Sequence, residues 1–277
     1  IFFERILELI LAVKALNMDL NMQWLEDLSK HLIGQNSLTN YFNESVGHSS
    51  KFKPVAGIFS ADGLAGGVIV DDFNNDGLLD IVTSSINGKL QLFYRQKDGG
   101  FKDASTESGL ENFWGGLNIT HVDFNNDGWL DIFVTRGAWL AEAGKIPNSL
   151  LMNKAGVFYD VSYSAGIRSS LPTQVSAWGD VNNDGCIDLF IGNESYYSEL
   201  YINECNGTFV ERSRDFNIIH SSFVKGASWG DVNNDGWIDL YISSYGEKNR
   251  LLINKGENLG FYDSNQTDIL TIDDSFL

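Results

Sequence analysis

The chain has 277 residues and a formal charge of −18, from 37 acidic against 19 basic residues, with 43% hydrophobic and 13% aromatic content. That length and apolar content suffice for a folded core, as one large domain or two ordinary ones, while the strong negative field argues against a nucleic-acid partner. No apolar run reaches the roughly 18 residues of a membrane span, and two cysteines are too few for a disulfide scaffold.

Residues 1–16 place Phe2, Ile6, Leu9, Ile10, Val13 and Leu16 at helical spacing. Glu4, Arg5, Glu8 and Lys14 interrupt that stretch and make it a poor signal-peptide core. The first residue is Ile, so any export signal is expected upstream. After a polar break at Asn17–Asn21, Trp24, Leu25, Leu28 and Leu32 continue at helical spacing, with Gly34 as C-cap. The pattern predicts a helical hairpin over residues 1–36, read as a packing cap on the downstream domain, with a partner-binding face as the alternative. Tyr41–Ser45 reads as a lone strand, and residues 46–64 as an irregular connection.

A nine-residue stretch then recurs four times. It reads Asp72-Phe-Asn-Asn-Asp-Gly-Leu-Leu-Asp80, Asp123-Phe-Asn-Asn-Asp-Gly-Trp-Leu-Asp131, Asp180-Val-Asn-Asn-Asp-Gly-Cys-Ile-Asp188 and Asp231-Val-Asn-Asn-Asp-Gly-Trp-Ile-Asp239. Oxygen-bearing side chains stand at positions 1, 3, 5 and 9, and Gly77, Gly128, Gly185 and Gly236 stand at position 6, where a sharp turn calls for φ > 0. Hard cations such as Ca²⁺ take six to eight oxygens at about 2.3–2.6 Å. The expected ligands are the side chains of Asp72, Asn74, Asp76 and Asp80; Asp123, Asn125, Asp127 and Asp131; Asp180, Asn182, Asp184 and Asp188; and Asp231, Asn233, Asp235 and Asp239. The main-chain carbonyls of Leu78, Trp129, Cys186 and Trp237 complete the four sets, for about four Ca²⁺ ions.

The opening of each loop matches an EF-hand, but position 12 is Thr83, Val134, Ile191 or Ile242 where an EF-hand needs Glu. The flanks alternate as strands, so each loop is predicted to sit in a β-hairpin. An Asn-Asp-Gly turn chosen only for φ > 0 is the plainer alternative. It does not explain why three like charges gather in every copy. The loops hold twelve acids, and four Ca²⁺ would bring the net charge from −18 to −10.

Successive loops begin 51, 57 and 51 residues apart, a period of propeller-blade size. A second motif of strand, Gly-bearing turn and strand comes after each loop, from Leu92, Leu151, Leu200 and Leu251. Two hairpins per unit make the four strands of one blade. The predicted fold is an all-β propeller of four-stranded blades over residues 37–277, with blades at about 65–107, 116–163, 173–214 and 224–264. Trp178 and Trp229, two residues before a loop, are predicted to pack between blades, and His121 aligns with them. Trp129 and Trp237, at loop position 7, are expected to be more exposed.

The pairing of D-x-[DN]-x-D-G-x-x-D with L-ϕ-x-N-x-x-G-x-F-x-[DE]-x-[ST], ϕ being apolar, resembles the FG-GAP/VCBS repeat families over about residues 41–264, most closely their cartilage-acidic-protein branch. The resemblance implies an exported calcium-binding propeller, usually of seven blades, related to the headpiece propellers of integrin α subunits. The four visible units are expected to form an open arc of an incomplete propeller, with Tyr41–Ser45, which matches the outer-strand motif, completing a blade whose first three strands lie in missing C-terminal sequence. The literal Phe-Gly and Gly-Ala-Pro signatures are absent.

No histidine cluster, nucleophile elbow or phosphate loop is present. The function expected is a non-enzymatic calcium-binding module for extracellular, cell-surface or periplasmic adhesion, or for interaction with a protein or carbohydrate. The alternatives are a propeller or accessory domain of a polysaccharide-acting enzyme, and a scaffold in which Ca²⁺ serves only folding. Cys186 and Cys205 are a candidate disulfide, with two free thiols as the alternative.

Overall fold

A computed structural model describes residues 66–218 and 221–264. The predicted helical hairpin over 1–36, the strand at 41–45 and the segment after 264 lie outside the described residues.

The described part is all-β. The first sheet orders β1 (Val68–Asp71), β2 (Asp80–Thr83), β3 (Gln91–Arg95) and β4 (Phe101–Asp103) as an antiparallel meander. The second repeats it with β5 (Asn118–Val122), β6 (Asp131–Thr135), β7 (Ser149–Lys154) and β8 (Val157–Asp160). The third uses β9 (Thr173–Gly179) and β10 (Asp188–Asn193), then β12 (Glu199–Asn203) and β13 (Phe209–Glu211). A short strand β11 (Tyr196–Tyr197) leaves the third sheet to pair with β14 (Ser221–Ser222). The fourth sheet is β15 (Val224–Gly230), β16 (Asp239–Ser244), β17 (Arg250–Asn254) and β18 (Phe261–Asp263). Four four-stranded antiparallel sheets follow one another in sequence order, the arrangement of propeller-like blades.

In the second and third sheets the second strand is buried along its whole length. Every residue of β6 (Asp-Ile-Phe-Val-Thr) and of β10 (Asp-Leu-Phe-Ile-Gly-Asn) is buried. Such strands have neighbours on both faces, so they read as continuous apolar runs rather than alternating ones. The cores lie between consecutive sheets. Ile69, Phe73, Val82 and Leu92 of the first pack with Ile119, Ile132, Val134 and Phe158 of the second. Phe124, Phe133 and Leu150 meet Leu189, Ile191, Tyr201 and Phe209, and Phe190, Leu200 and Ile202 meet Leu240, Leu252 and Phe261.

The predicted tryptophans stand at these seams. Trp178 sets its ring edge-on to Phe133 of the preceding sheet, centroids 5.9 Å apart, and its Nε1 donates to Thr120 Oγ1 at 3.0 Å. Trp229 meets Phe190 at 6.4 Å in the same manner. His121 packs on Phe73 at 5.9 Å and adds a 3.0 Å contact from Nε2 to Asp71 Oδ2. Trp129 and Trp237 are half-buried.

Candidate metal loops

Each acidic stretch closes a hairpin between the first and second strands of its sheet. The flanking pairs are Asp71 with Asp80, Val122 with Asp131, Gly179 with Asp188 and Gly230 with Asp239. The position-6 glycines adopt φ of +84 to +88°, as the turn requires. The position-4 residues Asn75, Asn126, Asn183 and Asn234 also lie at φ of +55 to +59°. Asn tolerates this region better than most residues, which accounts for the second Asn of each copy.

Main-chain N–H groups hold the acidic side chains in a repeated pattern. In the first loop Asp72 Oδ1 accepts from Asp76 N at 3.1 Å, and Asp72 Oδ2 accepts from Gly77 N at 2.7 Å. Asn74 Oδ1 also accepts from Asp76 N, at 3.0 Å, and Asp76 Oδ1 accepts from Leu78 N at 2.9 Å. The same bonds recur around Asp123, Asn125 and Asp127, around Asp180, Asn182 and Asp184 and around Asp231, Asn233 and Asp235.

The position-9 aspartates differ. Asp80, Asp131, Asp188 and Asp239 are at most 1% exposed. One oxygen of each accepts from the N–H of loop position 2, as Asp188 Oδ2 does from Val181 N at 2.9 Å. The other accepts from the N–H of a third-strand residue: Arg95, Asn153, Asn203 or Asn254. Burial pushes the carboxyls up, Asp80 to about 6 and Asp131 and Asp188 to about 7. The N–H bonds work against the shift, and the charges at positions 5 and 1 add to it. Asp239 is raised for the same reasons.

Among the described residues no Lys or Arg forms an ion pair with any of these twelve carboxylates. Each loop carries three acids oriented by N–H donors and without a Lys or Arg partner among the described residues. Their oxygens are the ligand type of a hard divalent cation, although no three of them bring carboxylate oxygens within 4.8 Å of one another. The residues of each predicted set lie in one hairpin loop. A further grouping of Asp184, Cys186 and Cys205 does not suit a soft metal, because the two sulfurs are bonded to each other. That disulfide spans a Cα–Cα distance of 5.5 Å and ties loop position 7 to the turn after β12. The fourth sheet fills the same junction with Trp237 against Gly256, where an added Cβ would lie 2.8 Å from the indole.

One set of residues carries a role that the sequence did not disclose. The third-strand asparagines join neighbouring sheets at the loops. Asn153 Nδ2 donates to Phe73 O of the preceding loop at 2.9 Å, Asn203 Nδ2 to Phe124 O at 2.8 Å and Asn254 Nδ2 to Val181 O at 2.8 Å. Each also donates to position 8 of its own loop, at Leu130, Ile187 or Ile238. The recurrence of this Asn in three of the four second motifs was the available signal; Arg95 stands there in the first. Loops also bond directly, Asn75 Nδ2 to Gly128 O at 3.0 Å and Asn183 Nδ2 to Gly236 O at 2.9 Å.

A family model for the FG-GAP-like repeat matches residues 72–134 and 180–242, each match running from the first Asp of one loop through the whole of the next. Over those residues the chain is similar to the FG-GAP-like repeat. Cartilage acidic protein 1 of Mus musculus is 21% identical over 248 residues, covering 81% of this chain and 37% of that protein. Its Xenopus tropicalis counterpart is 29% identical over 196 residues, covering 65% and 29%. The chain thus spans about a third of the length of these relatives. Among solved structures, the Vibrio cholerae biofilm matrix protein Bap1 overlaps it with a TM-score of 0.43 at 14% identity, over 75% of this chain and 32% of that one. The four acidic loops lie at one end of every sheet, between the first two strands.

Proposed function

We propose that this chain is a calcium-binding repeat module of propeller type that serves adhesion or assembly outside the cytoplasm, without catalysis. The observation that carries the proposal is the set of four loops whose twelve carboxylates are oriented by the main chain and have no Lys or Arg partner among the described residues. In each loop the residues at positions 1, 3, 5 and 9 and the carbonyl of position 7 would hold one Ca²⁺. The ion would replace mutual repulsion with attraction. The asparagine bridges pass that gain to the next sheet, so metal loading would stiffen the seams as well as the loops. Its role is structural: a rigid array of blades presents loops at fixed spacing to a partner.

The Cys186–Cys205 bond supports an oxidising compartment, since disulfides are rare in the cytosol. The relationship to cartilage acidic protein 1 supports the same placement. The test is thermal unfolding of metal-stripped protein with and without 1 mM Ca²⁺. A ligand bound only by the native state raises stability by RT ln(1 + [L]/Kd), about 2.7 kcal/mol at a hundredfold excess over Kd. Unchanged melting on calcium addition contradicts the proposal.

A further inference from the structure

The 57-residue step between the second and third loops owes its extra length to residues 136–148, the connection from β6 to β7. The same connection spans residues 84–90, 194–198 and 245–249 in the other sheets. It joins the strand ends remote from the acidic loops. Its base is pinched shut, because a Cβ added to Gly137 would lie 1.8 Å from Gly144 O. Its apex is strained: Trp139 has φ of +70° and Ala141 +49°, a conformation that bulky residues hold only when the surroundings impose it. Glu194, 3% exposed, does so by accepting from Trp139 N at 2.6 Å. The result is a rigid loop that presents Trp139 at 56% exposure, beside Leu140 and Ile146.

Between this loop and Trp114, itself 58% exposed, lies a cavity of about 250 Å³ lined by Trp114, Gly116, Leu117, Arg136, Leu140 and Ile146. Arg136 is 8% exposed. Its Nε donates to Trp114 O at 2.8 Å, and its Nη1 to Pro147 O at 3.1 Å and Ser149 Oγ at 2.7 Å. Its Nη2 has no acceptor among the described residues. This nitrogen is not one of the fully buried atoms left without a partner, so it is free to donate to water or to a ligand oxygen that takes the place of water. The indole of Trp114 likewise makes no ring or cation contact among the described residues, whereas Trp139 lines a separate cavity with Glu142, Glu194 and Phe223.

The lining decides the charge of the ligand. Arg136 is the one charged residue among those that line the cavity, and the Asp160 carboxylate, which accepts from Ser149 Oγ at 2.8 Å, lies close enough to offset its charge. A chain at −18 also repels polyanions. What remains is flat apolar surface next to one hydrogen-bond donor, in a space just below the about 300–1,000 Å³ of drug-sized ligand sites. We propose that the cleft between Trp114 and the 136–148 loop binds a neutral saccharide, with a pyranose ring against an exposed indole and a hydroxyl oxygen accepting from Arg136 Nη2. The proposal gives a ligand class to the adhesion function and rests on that reading, but not on calcium.

The test uses the full chain in Ca²⁺ and a panel of neutral hexasaccharides: cello-, manno-, xylo- and chitohexaose. Saturation-transfer NMR and calorimetry should show saturable binding of at least one. Trp114→Ala, at an exposed position, should weaken it at least tenfold with melting unchanged. Arg136→Lys, read against its own melting curve, should weaken it as well. Lack of saturable binding to the panel overturns the proposal, as does binding undiminished in Trp114→Ala or a preference for hexuronate oligomers or an apolar peptide. Because calcium loading is read separately by melting, failure here leaves the metal result standing.

Discussion

Replacing Asn203 with Ala removes the bridge between the second and third sheets. The side chain is 1% exposed and makes three bonds: Nδ2 to Phe124 O at 2.8 Å, Nδ2 to Ile187 O at 3.1 Å, and Oδ1 from Cys205 N at 3.1 Å. A typical hydrogen bond contributes about 1 kcal/mol net, and a buried group left unpaired costs about 1–3 kcal/mol. The substitution should therefore destabilise by about 3 kcal/mol. For a unit of this size that is roughly a 6–12 °C fall in melting temperature. Circular dichroism melts in saturating Ca²⁺ measure it. Asn112→Ala, which loses one exposed bond to Gly109 O, is the control and should stay within about 0.5 kcal/mol. A melting point for Asn203→Ala within about 2 °C of the parent refutes the bridging role.

Four further outcomes are expected. Reducing the Cys186–Cys205 bond, which closes a separation of 19 residues, should cost about 3 kcal/mol; finding two titratable thiols in the untreated native protein contradicts it. Gly179→Ala would place a Cβ 2.7 Å from Ile238 Cδ1 and 2.9 Å from Trp229 Cδ1, so overpacking at the seam between the last two sheets should cost about 1–3 kcal/mol in denaturant unfolding. Asp127→Asn, which removes one carboxylate from the second loop, should weaken that site about tenfold, and calcium calorimetry indistinguishable from the parent counts against it. In metal-stripped protein, the carboxyls of Asp80, Asp131 and Asp188 hold protons more tightly when folded, at about 6 to 7 against 3.8. Their stabilisation is complete below about pH 4 and lost as pH rises through 7, so stripped protein should melt higher at pH 5 than at pH 8. Calcium, which needs the deprotonated ligands, should reverse that order.

The repeated elements were legible because their residues act locally. Gly77 and its three equivalents declare a left-handed turn, flanking runs such as Ile132-Phe-Val-Thr135 declare strands, and a period near 50 residues assembles them into blades. Trp178 and Trp229 were legible as seam residues because large apolar side chains recurred at one offset from the loops. The roles of Asn153, Asn203 and Asn254 were not, since their acceptors lie 73 to 80 positions away, in the loop of another sheet. Arg136 and Trp139 escaped for the opposite reason: they belong to no repeat. The surplus six residues of the second step marked where to look, but not which side chains would converge.

Native mass spectrometry of metal-stripped protein titrated with Ca²⁺ tests the four-loop reading most directly, together with a crystal structure grown in Ca²⁺. Four ions should load, one in each loop, each bound by positions 1, 3, 5, 7 and 9. A folded protein that takes up no Ca²⁺ at millimolar concentration, or holds its ions away from Asp72–Asp80 and the three equivalent loops, contradicts it.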